Sequence, residues 1–111
     1  MKPLNSLAED NLRIDAELLA SLKRLGVIQT QYDLSRLCGM NDSYYSSMRT
    51  KGYGMTLGSL VFLWASLAHR AREVSEPRVG AVISHAAGLV HNAVTEKCRL
   101  RELEIRSAGG T

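Results

Sequence analysis

The stretch Thr30–Gly52 constrains the fold more than any other part of the chain, because it reads as two short helices around a tight turn. Thr30 is a candidate N-cap, its hydroxyl placed to accept an orphan first-turn amide, and Asp33 adds negative charge at the positive end of the helix dipole. Leu34, Leu37 and Cys38 recur at helical spacing and give this helix a buried stripe. Gly39 takes a positive φ without a Cβ penalty, so it stops the helix and turns the chain. Asn41 or Asp42 then caps a second helix running to about Thr50, with Gly52 as its stop.

Placed at 100° steps, Tyr45 and Met48 of the second helix fall together on one side. Ser43, Ser46, Ser47 and Thr50 cluster opposite, with Asp42, Tyr44, Arg49 and Lys51 at the margins. Small hydroxyls flanked by bases make a face able to enter a groove closely and hydrogen-bond to what lies there. Serines are also ordinary on solvated helix faces, although four small hydroxyls lower helix propensity without adding to a core.

These residues resemble the helix-turn-helix of the λ-repressor/Cro-like (XRE-type) DNA-binding family. Gln31 opens the first helix, Leu34 and Cys38 are its apolar positions, and Gly39 sits in the turn. Tyr45 and Met48 take the buried positions of the recognition helix, and Thr56–Leu67 resembles the following helix. The likeness covers roughly residues 10–72. It departs at Ser35, where the family usually has alanine, and at Tyr45, where valine or isoleucine is usual. A tyrosine in that slot needs a roomier core or a partner for its hydroxyl.

The resemblance implies double-stranded DNA as partner, with residues 42–50 in the major groove and the preceding helix across the backbone. Carried over, Gln31, Asp42, Ser43, Ser46, Ser47 and Thr50 take base-edge and groove-rim positions, while Tyr44, Arg49, Lys51 and Tyr53 contact phosphate. The implied function is that of a small bacterial, phage or plasmid transcriptional repressor acting as a dimer. Plasmid maintenance at clustered repeats uses the same DNA chemistry and is the first rival. An adaptor or antitoxin-like module gripping a protein through its C-terminal helix is the second.

The remaining sequence reads as all-α. A helix is expected over Asp10–Leu25 on Leu12, Leu18, Leu19, Leu22 and Leu25, with Gly26 as its stop and residues 1–9, including Lys2, as a loose arm. Thr56 caps a helix burying Leu57, Leu60, Val61, Leu63, Trp64 and Leu67. After a compositional change at Ser75–Pro77, a helical pattern runs from Arg78 to about Ser107, followed by a frayed Ala-Gly-Gly-Thr tail. Val79, Val82, Ile83, Ala86, Leu89, Val90, Ala93, Leu100 and Leu103 fall on one arc of this pattern.

Thirty helical residues span ~45 Å, whereas a domain of about seventy residues has a radius of gyration of only ~11 Å. The expectation is therefore a compact four-helix DNA-binding domain over 1–72 and a dimerisation region over 73–111. Its seam would be Val79, Val82, Ile83, Ala86, Leu89, Val90, Ala93 and Leu100, unless a break near Gly88 folds the stretch into a hairpin.

Composition is consistent with this reading. The net charge is +3, and all of the excess lies in residues 1–72, with nine Lys/Arg against six Asp/Glu; residues 73–111 carry five of each. That favours phosphate only weakly. No apolar run approaches the ~20 residues of a membrane span, and no secretory signal is visible. Cys38 and Cys98 are too few and too distant for a disulfide framework, which fits a reducing cytoplasm; the resemblance to a DNA-binding family implies a nucleoid location there. His85 and His91, six apart, fall on different helix faces, so neither a metal nor a cofactor is expected. No phosphate loop, activated nucleophile or paired acids suggest an enzyme.

Overall fold

A computed structural model describes residues 4–108, with side chains from Leu7 onward. Five helices follow in order: α1 Leu4–Arg24, α2 Gln31–Leu37, α3 Tyr44–Lys51, α4 Leu57–Glu73 and α5 Pro77–Ala108. No strand occurs among the described residues. None of the helices is long and apolar enough to cross a membrane, and no group of three or more His, Cys, Asp or Glu there could hold a metal.

Local chemistry sets most of the boundaries. Thr30 and Asp33 form a capping box on α2: the Asp33 amide donates to Thr30 Oγ1, and Asp33 Oδ2 accepts from the amides of Thr30 and Gln29. Those amides, Gln29 first, hold the Asp33 carboxyl below its ordinary range. Gly39, at φ +74°, ends α2, and the Met40 amide reaches back five residues to Ser35 O.

Two boundaries differ from expectation. Helix α1 starts at Leu4 rather than Asp10, because Leu7, only 1% exposed, continues the stripe of Ile14 and Leu18 toward the N-terminus. Helix α3 starts at Tyr44, and neither Asn41 nor Asp42 caps it. Asn41 Oδ1 accepts from the Ser43 hydroxyl, and Asp42 pairs with Arg36 at 2.9 Å. Residues 1–3, with Lys2, and the tail residues 109–111 lie outside the described part.

One apolar cluster joins every helix. It takes Ile14, Leu18 and Leu22 from α1, Leu34 from α2, Tyr44 and Tyr45 from α3, and Leu60, Leu63 and Leu67 from α4. From α5 it takes Ala86, Ala87, Val90 and Ala93, whose small side chains let this helix lie close along α4 and α1. The core therefore runs straight across the division expected at residues 72/73. Cys38 is buried in it, and desolvation pushes its thiol up to about 12.

The long C-terminal pattern is one helix, unbroken at Gly88. Most of its arc turns into the chain's own core. Ala86, Val90 and Ala93 are consumed inside the chain, and Ile83, Leu89 and Leu100 are half-buried against the same core. Of the arc, Val79, Val82 and Leu103 remain exposed. Most of α5 lies directly on α4 and α1, and these two helices cover the middle of the arc. Both ends of α5 are thus left uncovered, and at the C-terminal one Leu103 and Ile105 face water. Its reach gives the molecule a 54 Å long axis and a radius of gyration of 14.9 Å, against ~13 Å for a compact chain of this length.

Helix α4 also differs. Leu60, Leu63 and Leu67 are buried as expected, but Val61 is 46% and Trp64 39% exposed. The rest of the chain covers one side of α4, and both residues lie outside that side. Trp64 rests at its edge, tilted against the His91 ring of α5 with centroids 5.8 Å apart.

Candidate nucleic-acid interface

Helix α3 is held in place by buried polar contacts on three sides. The first comes from α2. Ser35, fully buried, donates to Gln31 O at 3.1 Å and accepts from the Tyr45 amide at 3.0 Å. Tyr45 is the second residue of α3, so its N–H has no partner within the helix. Ser43, in the cap position, makes no side-chain cap bond, and the serine across the turn satisfies this amide instead.

The second contact runs to α4. The Tyr44 hydroxyl accepts from the Thr56 amide at 2.9 Å and lies 2.8 Å from Ser59 Oγ and 3.2 Å from Thr56 Oγ1. Thr56 meanwhile caps α4 through the Ser59 amide. One phenol thus ties the first residue of α3 to the start of α4.

The third contact is a buried ion pair beneath the loop that follows α3. Asp15 of α1 and Lys97 of α5 lie 2.7 Å apart, each side chain 4% exposed. Asp15 Oδ2 accepts from the Met55 amide, and Lys97 Nζ donates to Met55 O, both at 2.7 Å. Burial pushes the Asp15 carboxyl up and the Lys97 ammonium down, while each charge offsets part of the other's penalty. Gly54, at φ +73°, is required here: a Cβ would stand 2.7 Å from Asp15 Oδ2. Asn11 adds a bond to Tyr53 O at 2.8 Å.

This architecture sorts the ten residues expected at DNA. Asp42, Ser43, Arg49, Thr50, Lys51 and Tyr53 are exposed, and Gln31, Ser46 and Ser47 are partly exposed. The Ser46 hydroxyl donates to Ser43 O, which leaves its lone pairs as its outward function. Asp42 is tied to Arg36, whose guanidinium also lies 3.6 Å from Asp33, so the negative charge at the start of α3 is partly neutralised. Arg49 stands beside the Tyr45 hydroxyl, whose pKa burial raises and Arg49 partly brings back. Arg49 and Lys51 also place positive charge at the C-terminal end of α3, where the dipole favours it.

Tyr44 is the exception. It is 7% exposed and its hydroxyl is committed to the start of α4, so it does not qualify as a phosphate contact. On a bare 100° wheel it falls at the margin, and the wheel carries no information about where α4 passes.

The ion pair is the feature that a reading of motifs misses. Its signal was nonetheless present: Asp15 follows Ile14 on the apolar side of α1, and Lys97 stands four residues after Ala93 on the apolar arc of α5. A charge on each of two apolar stripes suggests a buried pair. Compared with known proteins, the chain matches no family model, no curated protein and no solved structure.

Proposed function

We propose that this chain binds double-stranded DNA as a homodimer, with α3 in the major groove, and acts as a small transcriptional repressor. The observation that carries the reading is the division of α3 into two faces. Tyr44 and Tyr45 are locked inward by Ser35, Thr56 and Ser59, while Ser43, Ser46, Ser47 and Thr50 look outward beside Arg49 and Lys51. A rigid short helix presenting small hydroxyls can approach base edges closely, and serine and threonine donate to or accept from several of them. Such a face discriminates less sharply than bidentate Arg or Asn, so groove shape and a repeated half-site contribute to specificity.

The phosphate set is now Arg49, Lys51 and Tyr53. Two cations from each of two protomers neutralise about four phosphates, for a slope of log K against log salt of roughly −3.5. Fluorescence anisotropy with duplexes tiled across the DNA adjoining its own gene, at several salt concentrations, measures both affinity and slope. Ser47→Glu should abolish binding while leaving helicity and melting unchanged. Parent protein that binds no duplex at low salt ends this reading.

A further inference from the structure

Helices α4 and α5 leave between them a groove of about 910 Å³, within the ~300–1,000 Å³ usual for small-molecule sites. At one end Trp64, 39% exposed, and His91 form a tilted ring pair with centroids 5.8 Å apart. At the other end stands Arg72, eight residues further along α4 and so ~12 Å away. There the two helices come close, since a Cβ on Gly80 would stand 3.4 Å from Ala71 O. Between the two ends the lining is small, with Ala68, Ser84 and Gly88, and His85 adds a second imidazole.

The charge of this groove has one sign. None of the residues lining it carries a carboxylate. The acids nearest in sequence are engaged elsewhere: Glu73 lies 3.1 Å from His69 Nε2, and Glu76 Oε1 accepts from the Arg78 amide. Arg72 itself makes no ion pair among the described residues, whereas Arg13, Arg36, Arg101 and Arg106 all do.

We infer that this groove binds a small planar aromatic anion, with its ring against Trp64 and His91 and its carboxylate or similar group at Arg72. The guanidinium fork matches a carboxylate in two parallel bonds, and an offset or edge-on ring packs well beside a tilted aromatic pair. The small residues between the ends let a flat ligand lie along the groove. A cation would meet Arg72 with no acid to offset it, and a purely apolar ligand would gain nothing from that end. The inference does not draw on the DNA-binding reading.

Trp64 is the only tryptophan of the chain, so its indole N–H gives one identifiable signal in proton–nitrogen NMR. Titrating the full chain with 2-naphthoate should shift that signal saturably, as for a single site. The neutral 2-naphthalenemethanol and the non-aromatic cyclohexanecarboxylate should each bind at least about ten-fold more weakly, and 2-naphthylmethylamine should not bind.

Arg72→Gln should weaken naphthoate binding about ten-fold and leave naphthalenemethanol unaffected. Arg70→Gln is the control: Arg70 lines a separate hollow with Val79 and Val82, so this variant should bind like the parent. Gly88→Leu tests the place directly. A Cβ at Gly88 meets nothing within 4 Å, and leucine favours a helix more than glycine does, so the variant should fold at least as well as the parent. Its side chain should fill the groove and abolish the naphthoate shift. A Trp64 signal unmoved by millimolar naphthoate, equal binding of the amine, an affinity untouched by Arg72→Gln, or undiminished binding by a folded Gly88→Leu protein each overturns the inference.

Discussion

The amide of Tyr45 donates to the hydroxyl of Ser35 at 3.0 Å across the turn between α2 and α3. Helix α3 is therefore capped by its neighbour rather than by its own cap residue. Alanine at position 35 would have no oxygen to offer there. Cap and turn are thus coupled in this chain: α3 starts properly only when α2 is packed beside it.

Ser35→Ala should expose this coupling. It leaves a buried N–H without a partner, a loss of about 1–2 kcal/mol on the scale of helix caps and unsatisfied amides. Urea denaturation should show that loss, and hydrogen exchange should show the Tyr45 amide among the first to lose protection. An unchanged midpoint would mean that water reaches this amide and the serine is incidental.

Tyr44→Phe and Lys51→Ala should separate support from contact. Tyr44→Phe strips a hydroxyl from the Thr56 amide and Ser59, so stability should fall by about 1–3 kcal/mol while the salt slope of DNA binding stays the same. Lys51→Ala should leave melting unchanged and reduce that slope by about one unit per protomer. A Tyr44→Phe protein with a shallower slope and full stability would restore Tyr44 to the phosphate set.

The helix order, the capping box at Thr30 and Asp33, and the inward pair of Tyr45 and Met48 were legible because each depends on residues within a turn or two of one another. Tyr44 was not, since its burial depends on where Thr56 and Ser59 stand in space, twelve and fifteen positions away. The fate of the α5 arc was hidden for the same reason. Its periodicity identifies an apolar stripe but not the partner, and Ala86, Val90 and Ala93 fit a helix of the same chain as readily as a second copy. Val61 and Trp64 show the opposite limit: periodicity counts them as core, and only the placement of the other helices reveals that both stay exposed, at 46% and 39%.

Because α5 completes the core, removing it should unfold the protein rather than release a monomeric DNA-binding domain. A chain ending at Arg72 loses Ala86, Ala87, Val90 and Ala93 from the cluster and leaves Asp15 buried without its cation. Val90→Glu should act in the same direction, since Val90 is fully buried inside one chain and an unpaired carboxylate there has nothing to meet. Circular dichroism should show both proteins with little helix and no cooperative melt. A cooperative melt from the truncated chain would establish an independent domain over 1–72.

The Asp15–Lys97 pair yields the sharpest pH prediction. Lys97→Met leaves the buried carboxylate unpaired and takes a donor from Met55 O, so stability at pH 7 should fall by about 3–5 kcal/mol. Burial already raises the Asp15 pKa and Lys97 is the largest influence lowering it, so in the variant it should rise further. A carboxyl with a raised folded pKa contributes stability that is complete below its unfolded value of ~3.9 and is lost as pH climbs through the folded value. The deficit of Lys97→Met against the parent should therefore be small in acid and open between mildly acidic and neutral pH. Adding Asp15→Asn should recover much of the loss at pH 7, because an amide oxygen can still accept from the Met55 amide without burying a charge. Urea midpoints of parent, single and double variants at pH 5 and pH 7 decide the matter. An equal deficit at both pH values, unrelieved by Asp15→Asn, would mean that Lys97 acts through packing alone and its charge is not what holds the loop beneath α3.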